Sequence, residues 1–195
     1  MGVGWGGSAW SGTGSATVVQ VFVLGIDPGL SRCGYGAVRA TVDGPRAQAI
    51  GVIRTSPDDE LPHRLAELQL ELRALIAELA PDVVAVERIF FQNNVRTAMS
   101  VGQASGLAMA EAIAAGAAVA QYSPNEVKLA VTGDGAADKQ QVQVMVQRLL
   151  GLAAPPKPAD AADAAALALC HLAHAPGRAR LAAASSRGGT ARVAR

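Results

Sequence analysis

Two short apolar runs in this chain each end in an acidic residue. Residues 21–27 read VFVLGID and lead into a Pro-Gly turn, and residues 82–87 read DVVAVE. Apolar runs of this length, bounded by acids or turn residues, are typical of strands buried in a sheet, and burial on both faces favours parallel pairing. The carboxyl ends of such strands form one edge of an open α/β sheet, where ligands bind. The two runs therefore predict a covered sheet with Asp27 and Glu87 at its ligand-binding edge.

The rest of the hydrophobic pattern places hairpin strands before the second run and helices after each later strand. The first three strands are expected to be antiparallel neighbours, because the second and third are joined by Asp-Gly-Pro at hairpin spacing. The predicted elements besides the two runs are strands over 33–40, 46–55 and 117–122, and helices over 64–79, 95–115, from 123, 138–150 and 160–174. This order predicts the α/β class, with a mixed sheet that has helices on its faces.

Charge is distributed unevenly along the 195 residues, although the net charge is only +1. Residues 1–20 are uncharged, residues 21–177 hold 12 basic and 16 acidic side chains, and the last eighteen hold five arginines and no acid. Both ends are rich in small residues and lack periodicity. We therefore expect a flexible N-terminal extension over 1–20, one folded domain over 21–175 and a basic flexible tail over 176–195.

Composition excludes several classes of protein. A hydrophobic content of 50% with only 17% charged residues is incompatible with a mostly disordered chain. Two cysteines make no disulfide framework, and the first twenty residues lack the basic and apolar regions of a secretory signal. No run reaches the roughly 18 apolar residues of a membrane span. These features predict a cytoplasmic protein without a membrane partner.

Two further acids join the pair at the predicted sheet edge. Asp160 and Asp163 are three residues apart at the start of a predicted helix, so both project from one face. A set of four carboxylates without nearby His or Cys fits Mg²⁺ or Mn²⁺ and not Zn²⁺. Two such ions about 4 Å apart clamp the attacking and leaving oxygens of a phosphodiester displacement. The four acids therefore favour nuclease chemistry.

Each acid taken singly also has a purely structural interpretation. Asp160 could cap its helix, Asp163 could face the helix dipole, and Asp27 could begin the Asp-Pro-Gly turn. Glu87 is harder to explain in this way, because a carboxylate after four apolar residues costs several kcal/mol if it is desolvated without a partner. The combination favours a metal site.

Aromatic and basic residues near these acids suggest contacts with a nucleic acid. Phe90 and Phe91 follow Glu87 directly in a chain with 4% aromatics, and one ring is expected to face outward and stack on an unpaired base. Lys139 lies in the first turn of its helix, where a cation is disfavoured unless an anion is present. Phosphate binding by Lys139 and by Lys128, on the preceding helix, competes with an ordinary solvated role.

Two other patterns have weaker functional interpretations. Cys170, His171 and His174 have the composition of a zinc site but lack a second cluster, so we expect them to be helix surface and core. Gly102 and Gly106 permit close approach of the long helix to the sheet or to a partner's helix, with the sheet as the simpler expectation.

Five segments, taken in order, resemble the RuvC family of Holliday-junction resolvases over residues 21–175. They are GIDPGLSRCGYG around Asp27, AVERIFFQNN around Glu87, GQASG in the long helix, SPNEVKLAVTGDGAADKQQVQVMV around the two lysines, and PADAADAAALALCH around Asp160 and Asp163. The resemblance implies a ribonuclease-H-like mixed five-stranded sheet with helices on both faces.

The resemblance also implies an activity and its residues. It implies a homodimer that cuts two opposed strands of a four-way DNA junction with Mg²⁺, two ions per site with Mn²⁺ as a substitute, in recombination and repair. It further implies partnership with the RuvA and RuvB branch-migration proteins. The implied metal ligands and catalytic acids are Asp27, Glu87, Asp160 and Asp163, and the implied DNA contacts are Phe90, Lys128 and Lys139.

Three other functions remain open at this level. Residues 25–29 also look like the first phosphate loop of ATPases with a related fold, but those enzymes need a second lobe for which 195 residues leave no room. A catalytically silent junction binder would not need four acids that repel the DNA backbone. An RNA-processing nuclease of the same fold is the third alternative.

Overall fold

The computed structural model describes the backbone of residues 21–88 and 95–188, with side chains described for 21–88 and 98–174. Its elements follow the predicted order of three strands, a helix, a strand, a helix, a strand and three helices. They are β1 (Phe22–Asp27), β2 (Arg32–Thr41), β3 (Gly44–Arg54), α1 (Leu61–Leu79), β4 (Val83–Glu87), α2 (Val95–Ala114), β5 (Ala118–Tyr122), α3 (Pro124–Thr132), α4 (Lys139–Leu150) and α5 (Ala159–Gly188).

The five strands form one mixed sheet in the order β3-β2-β1-β4-β5. The β1–β2 and β2–β3 pairs are antiparallel, whereas β1–β4 and β4–β5 are parallel. The prediction of a mixed five-stranded sheet is therefore confirmed, including the antiparallel neighbours at one side. Parallel pairing brings the ends of β1, β4 and β5 to the same edge.

Alternation along the strands divides the core between two faces of the sheet. On one face, Leu24, Ile26, Val84 and Val86 pack in a cluster with buried residues of α1 and α2. On the other, Val23, Val38 and Ala85 pack with α3, α4 and α5. Asp27 and Glu87 continue the second set at two-residue spacing, so they lie on the face covered by α3–α5.

Helix α5 packs directly on β1 and β2 because the facing residues are small. A Cβ atom added to Gly25 would overlap the carbonyl oxygen of Ala164, and one added to Gly34 would overlap the carbonyl oxygen of Asp160. The alanines of α5 from 161 to 168 are fully buried against this surface. Glycine within a strand permits such an approach of one backbone to another. The contact fixes the first turns of α5 close to the end of β1.

Two predicted details are wrong. Helix α5 does not end near His174 but continues to Gly188, so residues 176–188 of the predicted tail are helical; this segment holds four alanines and three arginines, which are strong helix formers. The glycines of α2 do not pack on the sheet: Gly102 and Gly106 are exposed, with no atom within 4 Å of an added Cβ. Ala104, Ala108 and Ala112 form the buried face of that helix instead.

The predicted N-terminal extension, residues 1–20, and the end of the tail, residues 189–195, lie outside the described residues. Within the described part of the chain, no helix is both long enough and apolar enough to cross a bilayer.

Candidate active site

Asp27 and Glu87 end neighbouring parallel strands. The last paired residues of β1 and β4 are Ile26 and Val86, and each acid is the next residue of its strand. Both carboxylates are half-buried. The register places them side by side on the face covered by α5, as the apolar runs predicted.

The other two acids project from the first turns of α5. This helix begins at Ala159, so Asp160 lies inside its first turn and is not the capping residue. The side chains of Asp160 and Asp163 are 23% and 28% exposed, which leaves their carboxylates accessible to a ligand. Backbone contact between α5 and Gly34 holds this turn against the sheet beside Asp27.

A cleft of about 270 Å³ lies where these elements meet. It is lined by three of the four acids, Asp27, Glu87 and Asp163, and by both predicted DNA-contacting lysines, Lys128 from α3 and Lys139 from the start of α4. The structure therefore brings together on one cleft five residues that are scattered over more than a hundred positions of the sequence. Asp160 lies one helical turn from Asp163 and lines the neighbouring groove.

Burial and neighbouring charges raise the pKa values of Asp27 and Glu87. Burial, followed by the negative charges of Glu87, Asp163 and Asp160, raises the pKa of Asp27 from 3.8 to about 7, against an opposing effect of Lys139. Burial and the charge of Asp163 also raise the pKa of Glu87, which Lys139 again opposes. A group of half-buried carboxylates with raised pKa values is an anionic site that a cation would stabilise.

Two side-chain cations neutralise part of this charge. The Nζ atom of Lys139 lies 2.8 Å from Oδ2 of Asp163, and this hydrogen bond raises the pKa of the lysine. The Nε atom of Arg32 lies 3.4 Å from Oδ2 of Asp160. Capping of α4 by Asp138, which accepts a hydrogen bond from the backbone of Gln141, fixes the helix start that carries Lys139.

The donor set fits a hard divalent cation in its chemistry, since four carboxylates offer only oxygen. Among the described residues, no group of three or more His, Cys, Asp or Glu side chains is arranged to hold an ion. Asp163 and Asp160 instead face Lys139 and Arg32. A bound metal would take the place of these two cations as the partner of the acids.

Other predicted residues have different outcomes. Phe90 lies outside the described residues, so its predicted contact with a base stays a prediction. Cys170 and His171 are buried in the core, as expected. His171 Nδ1 forms a 2.9 Å hydrogen bond with the hydroxyl of Tyr122, the residue that pairs with Glu87 across β4 and β5.

Arg32 and the strand glycines were not predicted from the sequence. Arg32 is one of twelve basic residues in the domain, and its pairing with Asp160 depends on a contact across the fold. Gly25, Gly34 and Gly36 did carry a signal, because several glycines inside neighbouring strands mark a close backbone approach.

Known proteins that resemble this chain agree with the geometry of the cleft. The family model described as crossover junction endodeoxyribonuclease RuvC matches residues 23–171, which include all four acids and both lysines. The chain belongs to the RuvC family. A protein named crossover junction endodeoxyribonuclease RuvC from Salinispora arenicola is 57% identical over 166 residues, covering 85% of this chain and 95% of that protein.

Solved structures agree on the fold of this RuvC-family chain. The structure of Thermus thermophilus RuvC in complex with Holliday junction substrate is 36% identical, with a TM-score of 0.75, covering 80% of this chain and 94% of the other. The yeast mitochondrial Holliday junction resolvase is 18% identical with a TM-score of 0.57, covering 77% of this chain and 78% of the other, and supports the fold alone.

Proposed function

We propose that this protein is a metal-dependent endonuclease that resolves four-way DNA junctions by paired cuts in opposed strands. The observation that carries the proposal is the cleft in which half-buried acids from β1, β4 and α5 lie beside two lysines. It is supported by membership of a family described as crossover junction endodeoxyribonucleases, and by a relative of this fold in complex with a Holliday junction substrate.

Each residue of the cleft has a part in the proposed reaction. Asp27, Glu87, Asp160 and Asp163 would hold divalent cations, two Mg²⁺ per site with Mn²⁺ as a substitute. Such ions lower the pKa of bound water and stabilise charge that develops on a phosphate. Lys128 and Lys139 would hold phosphates of the cut strand, and Lys139 would exchange Asp163 for a phosphate as the acids take up metal. The products would have a 5′-phosphate and a 3′-hydroxyl.

The assembly follows from the resemblance and from symmetry. Two opposed strands are cut at symmetric positions if two copies are related by a twofold axis, because each copy then offers one site. The exposed face of α2 that contains Gly102, Gly106 and Ile113 is our candidate for the homodimer contact. RuvA and RuvB are the proposed partners in the cytoplasm, Phe90 the proposed base contact, and residues 21–175 the proposed nuclease domain.

The test is cleavage of a synthetic mobile four-way junction by purified protein with Mg²⁺. We expect paired, symmetric nicks that disappear in Asp27→Asn and Glu87→Gln, while the exposed α1 acid variant Glu78→Gln cuts like the wild type. Full activity in both cleft variants would overturn the proposal. Junction binding without cleavage at any divalent ion would instead identify a catalytically silent binder, and stronger competition by single-stranded RNA than by the junction would identify an RNA-processing enzyme.

A further inference from the structure

A second, larger groove lies beside the acidic cleft, on the other side of the first turn of α5. Its volume is about 950 Å³, and its walls come from the turn between β1 and β2, the start of α1, α2 and Asp160. We call this space the arginine groove, after Arg32 and Arg64, which line it. Asp160 lines the arginine groove while Asp163, three residues later, lines the acidic cleft, so the two spaces adjoin.

Arg32 is available to a ligand in this groove. Its side chain is 56% exposed, and its partner is Asp160 at 3.4 Å. Because the arginine is mostly exposed and the contact is long, this ion pair contributes little to stability. Exchange of the Asp160 carboxylate for another anion therefore costs the fold little.

Arg64 is held rigidly, with donors to spare. Its Nε donates to the hydroxyl of Thr55 at 3.1 Å, and one Nη2 hydrogen is donated to the hydroxyl of Ser31 at 2.6 Å. Thr55 is itself buried and donates to the carbonyl of Leu30, which fixes the position of the guanidinium. Among the residues whose side chains are described, none accepts the two Nη1 hydrogens or the second Nη2 hydrogen, so these three remain for a ligand. Within the described ranges, Arg64 has no carboxylate within salt-bridge distance.

The rest of the groove combines this positive charge with apolar surface. Of the described residues that line it, only Asp160 is acidic. Leu61 and Met99 also line it and are 43% and 61% exposed, although both are large apolar side chains. Two guanidinium groups beside exposed apolar side chains complement a nucleotide, which offers an anionic phosphate and a base with an apolar face.

We propose that the arginine groove binds the DNA strand next to the scissile phosphate, with Arg32 and Arg64 on one neighbouring phosphate and the Leu61–Met99 surface against its sugar or base. This inference rests on the proposed function, since it extends the path of the same strand out of the acidic cleft. Arg32 acts as the link between the two spaces: it releases Asp160 to the cleft when the phosphate arrives. Arg64, held by Thr55 and Ser31, gives the phosphate a fixed position.

The experiment measures junction affinity as a function of salt for Arg32→Gln, Arg64→Gln and the wild type. Ca²⁺ replaces Mg²⁺, and a denaturing gel checks that the DNA stays uncut. Loss of one phosphate contact lowers the slope of log affinity against log salt by about 1, so the loss of affinity between 50 and 200 mM salt is about fourfold smaller. Arg46→Gln is the matched control. Arg46 is exposed and lies opposite Arg39 in the β2–β3 register, at the end of these strands away from Arg32.

A second measurement identifies the phosphate. Junctions with single neutral methylphosphonate linkages on either side of the mapped nick are compared for each protein. We expect one linkage that weakens binding of the wild type and Arg46→Gln, and that weakens Arg32→Gln and Arg64→Gln less, because each of these variants keeps only one arginine on that phosphate. Arg64→Lys keeps the charge but loses the planar guanidinium, so we expect an affinity between those of the wild type and Arg64→Gln. Thermal melting checks that the Arg64 variants are folded. Arg32 is exposed, so Arg32→Gln should not disturb folding.

The outcomes separate the two proposals. If the wild type cuts the junction and both groove variants keep its salt slope and its methylphosphonate pattern, the inference is wrong and the proposed function stands. If the wild type neither binds nor cuts the junction, both are wrong. A reduced slope in both groove variants with an unchanged slope in Arg46→Gln supports the arginine groove.

Discussion

Gly25→Ala tests how α5 is placed against the sheet. The added Cβ would overlap the carbonyl oxygen of Ala164 and lie 2.8 Å from the backbone nitrogen of Ala168. Both neighbours are backbone atoms of one helix, so the clash cannot be relieved by a side-chain rotation and α5 must move outward. Overpacking of this kind costs about 1 to 3 kcal/mol of stability. For a chain of this size, that lowers the melting temperature by roughly 2 to 12 °C.

The effect on cleavage should exceed the effect on folding. Asp160 and Asp163 move with α5, whereas Asp27 and Glu87 stay on the strands, and a misplacement of about 1 Å in a catalytic site can cost about 100-fold in rate. Stability is measured by urea unfolding followed by far-UV circular dichroism at one protein concentration, and cleavage is measured well below the melting temperature.

The matched control is Gly135→Ala, where an added Cβ meets nothing within 4 Å. This variant should be as stable as the wild type or slightly more stable, by up to about 1 kcal/mol. If Gly25→Ala matched Gly135→Ala in both stability and cleavage, the argument that strand glycines set the position of the acids would be refuted.

Two further predictions concern pH. In metal-free protein, Asp27 has a pKa raised by burial to about 7 from 3.8, so the folded state binds more protons than the unfolded state between these values and stability falls as pH rises through this range. Asp27→Asn should therefore be more stable than the wild type at pH 8 and lose this advantage below pH 4, as measured by thermal melting with EDTA. An equal stability difference at both pH values would contradict this prediction. Glu111 is the opposite case, since its hydrogen bonds from Arg73 and Gln69 lower its pKa from 4.5 to about 2. The stability that these bonds provide should be present above pH 4.5 and disappear as the pH falls toward 2. The melting temperatures of the wild type and Glu111→Gln should therefore converge near pH 2. A constant difference down to pH 2 would show that the carboxylate charge is not the cause.

Local sequence patterns were enough to predict the acids of the site. Asp27 and Glu87 could be predicted because each ends an apolar run, and parallel pairing of those runs brings their ends together. Asp160 and Asp163 could be predicted to share a helix face from their spacing alone. In each case the position depends on the periodicity of one element and on one general rule of sheet geometry.

Contacts between elements were not predictable in this way. The ion pair of Arg32 with Asp160 joins an exposed arginine to a half-buried acid on another element, and no local pattern selects one arginine over another. The orientation of Gly102 and Gly106 was predicted wrongly because α2 has small residues on two faces, and its packing on the sheet and α1 selected the alanine face. The predicted length of α5 is too short, since the helix continues through Pro176 and Gly177, which are unfavourable inside a helix.

The central claim is that acids from three elements form one divalent-cation site. Its most direct test is titration of DNA-free protein with Mn²⁺ by calorimetry at pH 8, above the raised pKa of Asp27, which burial sets at about 7. We expect the wild type and Glu78→Gln to bind Mn²⁺ alike and Asp27→Asn and Glu87→Gln to bind at least about tenfold more weakly. Unchanged Mn²⁺ affinity in both of these variants would contradict the claim.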